Sequence, residues 1–351
     1  MEKKKNRVER TDLQSGYSIS RLIKGGWHLA GGHGEIDPDQ AVKDMAAFVE
    51  AGITTFDCAD HYTGVEELIG NFRKAYPSLA SQVKIHTKFV PDYEKLGNVD
   101  RTYVEKIIDR SLKRLHVERL DLVQFYWWDP DGIPGYIDTA LLLGDLKTKG
   151  KIDRLGVSNF NTRQLRTLID TGVPMESNQP QYSLLDTRPE KKLIPYCLDN
   201  GINQLCYGTL AGGFFSEDWM GKPEPTELFA NRSLTKYKLI IDDFGGWTLF
   251  QELLQILKQV SDRYGVTMPL VAMRWVLDRP GVAALIIGAT STRHLEENLR
   301  VFEFSMTDDD YDLIDTILKK STILNGDCYD LERDKTGHHG SIMRYNQNKT
   351  E

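Results

Sequence analysis

The stretch Ala283-Ala284-Leu285-Ile286-Ile287-Gly288 is a near-continuous apolar run stopped by a glycine, and Leu120-Asp121-Leu122-Val123-Gln124-Phe125 is a second, mostly apolar one. A strand with one wet face alternates apolar and polar residues. A strand covered on both faces need not, so these runs read as strands of a buried parallel sheet. The run at 120–126 and the run at 283–288 have six companions, at 21–26, 53–57, 83–88, 152–157, 175–179 and 202–207, giving eight candidate strands. Amphipathic segments lie between them. The segment 38–51 follows Asp37, a good N-cap with Pro38 at the first helical position, and stops before Gly52. In 101–116, Val104, Ile107, Ile108, Leu112 and Leu115 fall on one helical face, and 162–171 and 189–200 each end beside a glycine.

Strand ends at Gly26, Asp57, Lys88, Tyr126, Ser158, Gln179 and Tyr207 recur every 21 to 38 residues, the size of a strand–loop–helix unit. Eight units predict an α/β fold of the (β/α)8 TIM barrel type. Five or six would make an open doubly wound sheet. That alternative usually carries a glycine fingerprint after its first strand, and neither GxGxxG nor GxxxxGK[ST] occurs here. Between Tyr207 and Gly288 the rhythm breaks, and 212–248, punctuated by Pro223, Pro225, Gly245 and Gly246, reads as a long functional loop after strand 7. Helices at 249–264 and 267–279 follow it. The whole of 1–351 reads as one barrel domain with extra C-terminal helices, a flexible polar arm at 1–15 and a weakly ordered tail at 333–351 that carries His338 and His339.

The 351 residues are 40% hydrophobic and 27% charged, with a formal net charge of −7. This composition supports a globular core. The acidic balance argues against a protein that coats nucleic acid or an anionic membrane. No apolar window reaches transmembrane length, and the charged start Met1-Glu-Lys-Lys-Lys is unlike a secretory leader, so a cytoplasmic location is expected. Cys58, Cys197, Cys206 and Cys328 form no CxxC pair and suit reduced thiols. No Cys/His spacing suggests a metal.

On a barrel the reactive groups stand at the C-terminal strand ends. Those positions carry Asp57, Lys88, Tyr126, Ser158, Asn159, Gln179 and Tyr207, with Tyr62 five residues beyond Asp57. Each has a plain alternative: Lys88 a solvated lysine, Asp57 a helix cap, Tyr207 a packing residue. Together, a lysine cation beside a phenol favours the phenolate, and a carboxylate beside the lysine keeps it charged, which makes a proton donor and acceptor. Trp27, Trp127 and Trp128, also at strand ends, read as core aromatics or as walls of an apolar substrate pocket.

Six segments carry a resemblance. Thr54-Thr55-Phe56-Asp57-Cys58-Ala59-Asp60-His61-Tyr62 with Gly64, Glu67 and Gly70 resembles the FDTAxxYGxxExxxG segment of the aldo-keto reductase superfamily. His86-Thr87-Lys88, Gly156-Val157-Ser158-Asn159-Phe160, Asn178-Gln179-Pro180-Gln181-Tyr182, Tyr207-Gly208-Thr209-Leu210-Ala211-Gly212-Gly213 and Ile287-Gly288-Ala289-Thr290 through Asn298 resemble that superfamily's later motifs, in the same order.

The resemblance implies a barrel that binds a nicotinamide cofactor, NADPH in preference to NADH. It implies Tyr62 as general acid/base, Lys88 as its modulator and Asp57 as the partner of Lys88. Ser158, Asn159 and Gln179 would hold the carboxamide and Tyr207 would stack on the nicotinamide. Gly208, Thr209, Leu210 and Gly212 would follow the pyrophosphate. Gly288, Ala289, Thr290, Arg293, His294, Glu297 and Asn298 would face the adenosine end. Where the superfamily has a catalytic histidine, this chain has Tyr126. Its hydroxyl is expected beside Tyr62 in the mouth, the alternative being a ring packed on Trp127 or Trp128. The implied function is reversible reduction of a small or medium-sized aldehyde or ketone, with Tyr62 as proton donor. The rivals are a cofactor-binding regulatory subunit of the channel β-subunit type and a same-scaffold enzyme whose redox chemistry is altered by Tyr126.

Overall fold

The computed structural model describes residues 8–14, 16–31, 34–226, 229, 231–322, 324, 326–343 and 345. Strands β1 (Arg10–Asp12) and β2 (Ser18–Ser20) pair antiparallel as a short hairpin. Eight parallel strands follow: β3 (Leu22–Gly25), β4 (Thr55–Asp57), β5 (Lys84–Phe89), β6 (Leu120–Phe125), β7 (Ile152–Ser158), β8 (Ser177–Gln179), β9 (Asn203–Cys206) and β10 (Val282–Gly288). They neighbour one another in chain order, and β10 pairs with both β9 and β3, which closes the (β/α)8 barrel. All eight candidate strands are present, with ends shifted inward or outward by one or two residues.

The helices form where the sequence patterns placed them. Pro38–Glu50 is capped by the Asp37 carboxylate, which accepts from the backbone N–H groups of Asp39 and Gln40. Arg101–Leu115 buries Val104, Ile107, Ile108 and Leu115 and ends with His116 in the left-handed region. The segment 212–248 differs from the expected loop: it contains the helix Arg232–Phe244, and the next helix, Gly246–Tyr264, begins earlier than expected. Polar residues and flanking Gly/Pro hid an amphipathic helix whose Tyr237, Ile240, Ile241 and Phe244 are buried.

The described residues of the expected arm and tail also differ from expectation; 1–7, 15, 344 and 346–351 lie outside the described residues. The described part of the arm is the β1–β2 hairpin. It closes the N-terminal end of the barrel by placing Leu13, Tyr17 and Ile19 against the inward-facing Ile23, Leu122, Leu205 and Ala284. Arg10 donates to Thr54 Oγ1 and Asn203 donates to the Leu13 carbonyl, so polar bonds at the strand starts fix a segment whose composition looked solvated.

At the other end, the described residues from Asp327 onward dock over the strand C-termini. Arg333 donates to the carbonyls of Asn159 and Trp127, and Asn161 donates to Asp330. His339 is buried and bonded to Asp243, contrary to the solvated tail expected. Arg188, 1% exposed, makes a fork to Asp186 and a second to Glu332, so a buried charge trio clamps the tail.

This clamp gives the first prediction. Removing one member of a buried ion pair strands its partners without compensation, at a cost of about 3–5 kcal/mol. Arg188→Met is therefore expected to lower the urea unfolding midpoint clearly; an unchanged midpoint would show that the trio carries no stability. Burial alone would raise the Glu332 pKa, but Arg188 and Lys236 bring it down to about 2. Its contribution is thus complete above the usual glutamate pKa of about 4.3 and is lost as pH falls towards 2.

Candidate active site

Inward-facing positions recur every second residue along a strand. On β5 they are His86 and Lys88. On β6 they are Leu122 and Gln124, with Tyr126 continuing the series just past the strand. Lys88 and Asp57 are 4% and 3% exposed, and Lys88 Nζ lies 2.6 Å from Asp57 Oδ2 and 2.9 Å from the Cys58 carbonyl. Asp57 Oδ1 accepts from Gln179 Nε2 at 2.7 Å and Gln124 Nε2 at 2.9 Å, and Gln179 Nε2 also reaches Gln124 Oε1 at 2.8 Å. The buried carboxylate is thereby paired and hydrogen-bonded on both oxygens, the condition under which a buried ion pair is tolerable.

Tyr62 is brought to this pair by the turn after β4. Lys88 Nζ is 4.9 Å from its ring centroid, and Trp27 and His61 meet the ring edge-on at 5.1 and 4.8 Å. The expected fall in the Tyr62 pKa is reversed. Burial pushes the phenol up and Lys88 opposes it without overcoming it, so Tyr62 is a neutral O–H. Burial lowers the Lys88 pKa, but Asp57 and Tyr62 carry it above the ordinary value, and it stays an ammonium.

Tyr126 is buried with its ring edge-on to Trp128 at 4.9 Å and to Tyr329 at 6.1 Å. Burial raises its pKa, with Arg333 and a hydrogen bond from Tyr329 opposing. The ring thus makes the contact with Trp128 that was the alternative expectation, and adds one with Tyr329. Tyr329 comes from the docked segment just before the expected tail, whose position no local pattern announced. Trp127 departs from its reading as a pocket wall: it is 0% exposed, packs on Phe125 and donates to the Ile133 carbonyl. Trp27, 40% exposed, and half-buried Trp128 remain beside the mouth, Trp128 against Tyr345.

Ser158, Asn159 and Gln179 sit together at the ends of β7 and β8, where Ser158 pairs with Gln179 and Asn159 N donates to the Gln179 carbonyl. Both hydrogens of Gln179 Nε2 are engaged, so its side chain offers a ligand only the amide oxygen. Asn159, held at φ 60°, accepts from the Tyr207 hydroxyl through Oδ1, leaving Nδ2 as its donor. One acceptor flanked by a hydroxyl and an amide N–H complements a carboxamide. Tyr207 beside them supplies a flat ring. After it, Gly208, Ala211, Gly212 and Gly213 all have positive φ, and a Cβ at Gly213 would meet nothing within 4 Å. Left-handed turns can present backbone N–H groups to an anion; this one is open at Gly213, while Gly208 and Gly212 lie against Tyr237 and the N–H groups of Ala211 and Gly213 donate to the Gly208 and Leu210 carbonyls. The donor set and this turn fit a nicotinamide nucleotide.

Thr209 is buried and Leu210 is half-buried in the same turn. Gly288, Thr290, Arg293 and His294 are exposed near the end of β10, with Ala289 and Asn298 half-buried. A Cβ at Gly288 would lie 2.2 Å from the His28 ring, so only glycine admits His28 there. Glu297 accepts from Thr267 and Arg300. Gln124, Tyr329 and Lys236 are site residues that no sequence motif picked out. For Gln124 a signal existed, since it shares the face of Tyr126 two residues on.

The Aldo/keto reductase family model matches residues 21–319. An aldo-keto reductase of Bacillus subtilis, YhdN, is 30% identical over 88% of this chain and 92% of its own. An Escherichia coli NADH-specific methylglyoxal reductase is 24% identical over 85% of this chain and 94% of its own. The solved structure of a Gluconobacter oxydans glycerol dehydrogenase superposes with a TM-score of 0.74 at 26% identity, covering 91% of this chain and 97% of that one. Among the described residues no helix is long and apolar enough to cross a membrane.

Gln124→Leu removes one donor to Asp57 and the acceptor of Gln179 Nε2. A stranded buried polar group costs about 1–3 kcal/mol, so the variant should unfold at measurably lower urea. A midpoint equal to wild type would show that the Gln124 bonds add nothing net.

Proposed function

From the premise that this chain belongs to the aldo/keto reductase family of oxidoreductases, we propose that it reduces an aldehyde or ketone of a small or medium-sized molecule to the alcohol, reversibly, with NADPH. The observation that carries this reading is the neutral, half-buried Tyr62 beside the Lys88 ammonium and the Asp57 carboxylate. A bound nicotinamide supplies the hydride. Ser158, Asn159 and Gln179 would hold its carboxamide, and Tyr207 would supply the ring beside it.

Tyr62 donates its hydroxyl proton to the carbonyl oxygen as negative charge grows there. Lys88 stabilises the phenolate left behind. Asp57 is the positioning group: it holds the Lys88 ammonium in place and balances its charge. In the reverse direction the Tyr62 phenolate takes the proton of the alcohol. Trp27 and Trp128, with Tyr126 packed on Trp128 and Tyr329 on Tyr126, would give the substrate an aromatic surround. A cytoplasmic site of action agrees with this use of NADPH.

Tyr62→Phe is expected to reduce kcat on an aldehyde by about 10²–10⁴-fold, the usual worth of a general acid, while the Kd for NADPH stays within about twofold. Residual activity above a tenth of wild type, with binding intact, would refute the assignment. Lys88→Met removes the one group that lowers the Tyr62 pKa through charge, so alcohol oxidation, which needs the phenolate, should fall further than aldehyde reduction. An equal fall in both directions would argue against that role. Negligible turnover by wild type across a broad aldehyde panel would favour a cofactor-sensing subunit.

The preference for NADPH rests on Arg293 and His294, which offer an exposed cation and a ring N–H near the end of β10, arginine being well shaped for phosphate. The E. coli relative named NADH-specific makes this a point to measure. The expected result is a higher kcat/KM with NADPH, and an Arg293→Ala variant that weakens NADPH binding while leaving NADH nearly unchanged. Equal or better kcat/KM with NADH would overturn it.

A further inference from the structure

The helix Arg232–Phe244 carries Lys236, half-buried, with Nζ held among three tyrosine rings: 5.0 Å from the centroid of Tyr207, 5.6 Å from Tyr329 and 5.8 Å from Tyr237. Nζ also lies 3.5 Å from the Tyr207 hydroxyl. Ring faces carry negative potential and hold a cation without neutralising it. The carboxylates that act on Lys236, Glu332 and Asp186, are both already engaged by Arg188. Burial and Arg188 push the Lys236 pKa down, and Glu332 and Asp186 offset this only in part, so it lies below the ordinary lysine value.

Tyr207 is the ring assigned to stack on the nicotinamide under the proposed function, and the role of Lys236 rests on that reading. The two redox forms of the cofactor differ in one respect at this ring: the oxidised pyridinium carries a positive charge and the reduced dihydropyridine is neutral. Stacked rings lie with centroids about 4.5–7 Å apart. An ammonium 5.0 Å from Tyr207 is then within about 12 Å of a nicotinamide on either face. At this range two like charges in a partly buried site repel measurably, whereas an ammonium and a neutral ring do not.

We propose that Lys236 sets the preference of the site between the two forms of its cofactor, selectively weakening the oxidised form by charge repulsion across Tyr207. The consequence is directional: after reduction of a carbonyl, the spent cofactor leaves more readily than fresh NADPH. A residue that simply gripped the phosphates would act on both forms alike, because both carry the same phosphates.

The test is the pair of dissociation constants for NADP+ and NADPH, measured by quenching of protein fluorescence in the full chain. Lys236→Gln removes the charge. It is expected to tighten NADP+ by about threefold to tenfold and to leave NADPH within about twofold. Lys236→Arg keeps the charge and is expected to retain the wild-type ratio, which separates charge from packing. Loss of affinity for both forms together in Lys236→Gln would make Lys236 a phosphate contact and overturn the proposal. An unchanged ratio, or a ratio altered equally in Lys236→Arg, would overturn it too. In each of these cases wild type still binds the cofactor and the proposed function stands. Wild type that bound neither form would instead remove the proposed function, and the role of Lys236 with it.

Discussion

The Asp57 carboxylate is the constraint around which the mouth of the barrel is arranged. It comes from β4, yet its side-chain partners come from three other strands: Lys88 on β5, Gln124 on β6 and Gln179 on β8. An ionised carboxylate at 3% exposure is tolerated only with both oxygens satisfied. The same bonds that meet this requirement fix the ammonium beside Tyr62 and engage both amide hydrogens of Gln179. Lys88 consequently stays charged although burial works against its charge. Tyr62 keeps its own proton because burial outweighs the pull of the lysine. Proton donor, charge and cofactor-facing amide are thus three consequences of one buried anion.

Both ends of the barrel are closed by segments near the chain termini. The hairpin seals the strand starts with apolar side chains. Above it His86 lies buried, with burial followed by Lys88 and Lys84 lowering its pKa to about 3, so the barrel interior below the site carries no added charge. The opposite end is covered by the segment from Asp327, clamped through Glu332 to Arg188 and through Arg333 to the loops after β6 and β7. That closure brings Tyr329 against Tyr126 and Lys236, so this segment is part of the wall around the site. In the barrel architecture loops above the strands diversify chemistry. Here the fourth strand end, at Tyr126, takes its surroundings from Tyr329, a residue of the docked segment far along the chain.

The strands, their order and the positions of Asp57, Tyr62, Lys88, Ser158, Asn159, Gln179 and Tyr207 were legible in the sequence. Apolar runs of strand length, helical periodicity and glycine stops are local properties, and a parallel barrel places each strand end on the same rim. The N-terminal hairpin and the tail were misread for one reason. Most of their residues are polar, and polar composition says nothing about whether the partners for those groups are water or a distant part of the same chain. Arg188 and Glu332 are 144 residues apart and both are buried, an arrangement without a local signature.

Sequence alone therefore determined the repeating strand–helix units, the barrel they close into and the set of groups on its rim, because each follows from short-range pattern and from the fixed direction of parallel strands. Tertiary structure alone decided the protonation balance of Tyr62, the turn of Tyr126 towards Trp128 and Tyr329, the burial of Trp127, and the place of Lys236 among three tyrosine rings. Each of those depends on desolvation and on charges or rings brought from remote segments. Electrostatic and packing energies are set by distance in space, and for these residues separation along the chain carried no information about it.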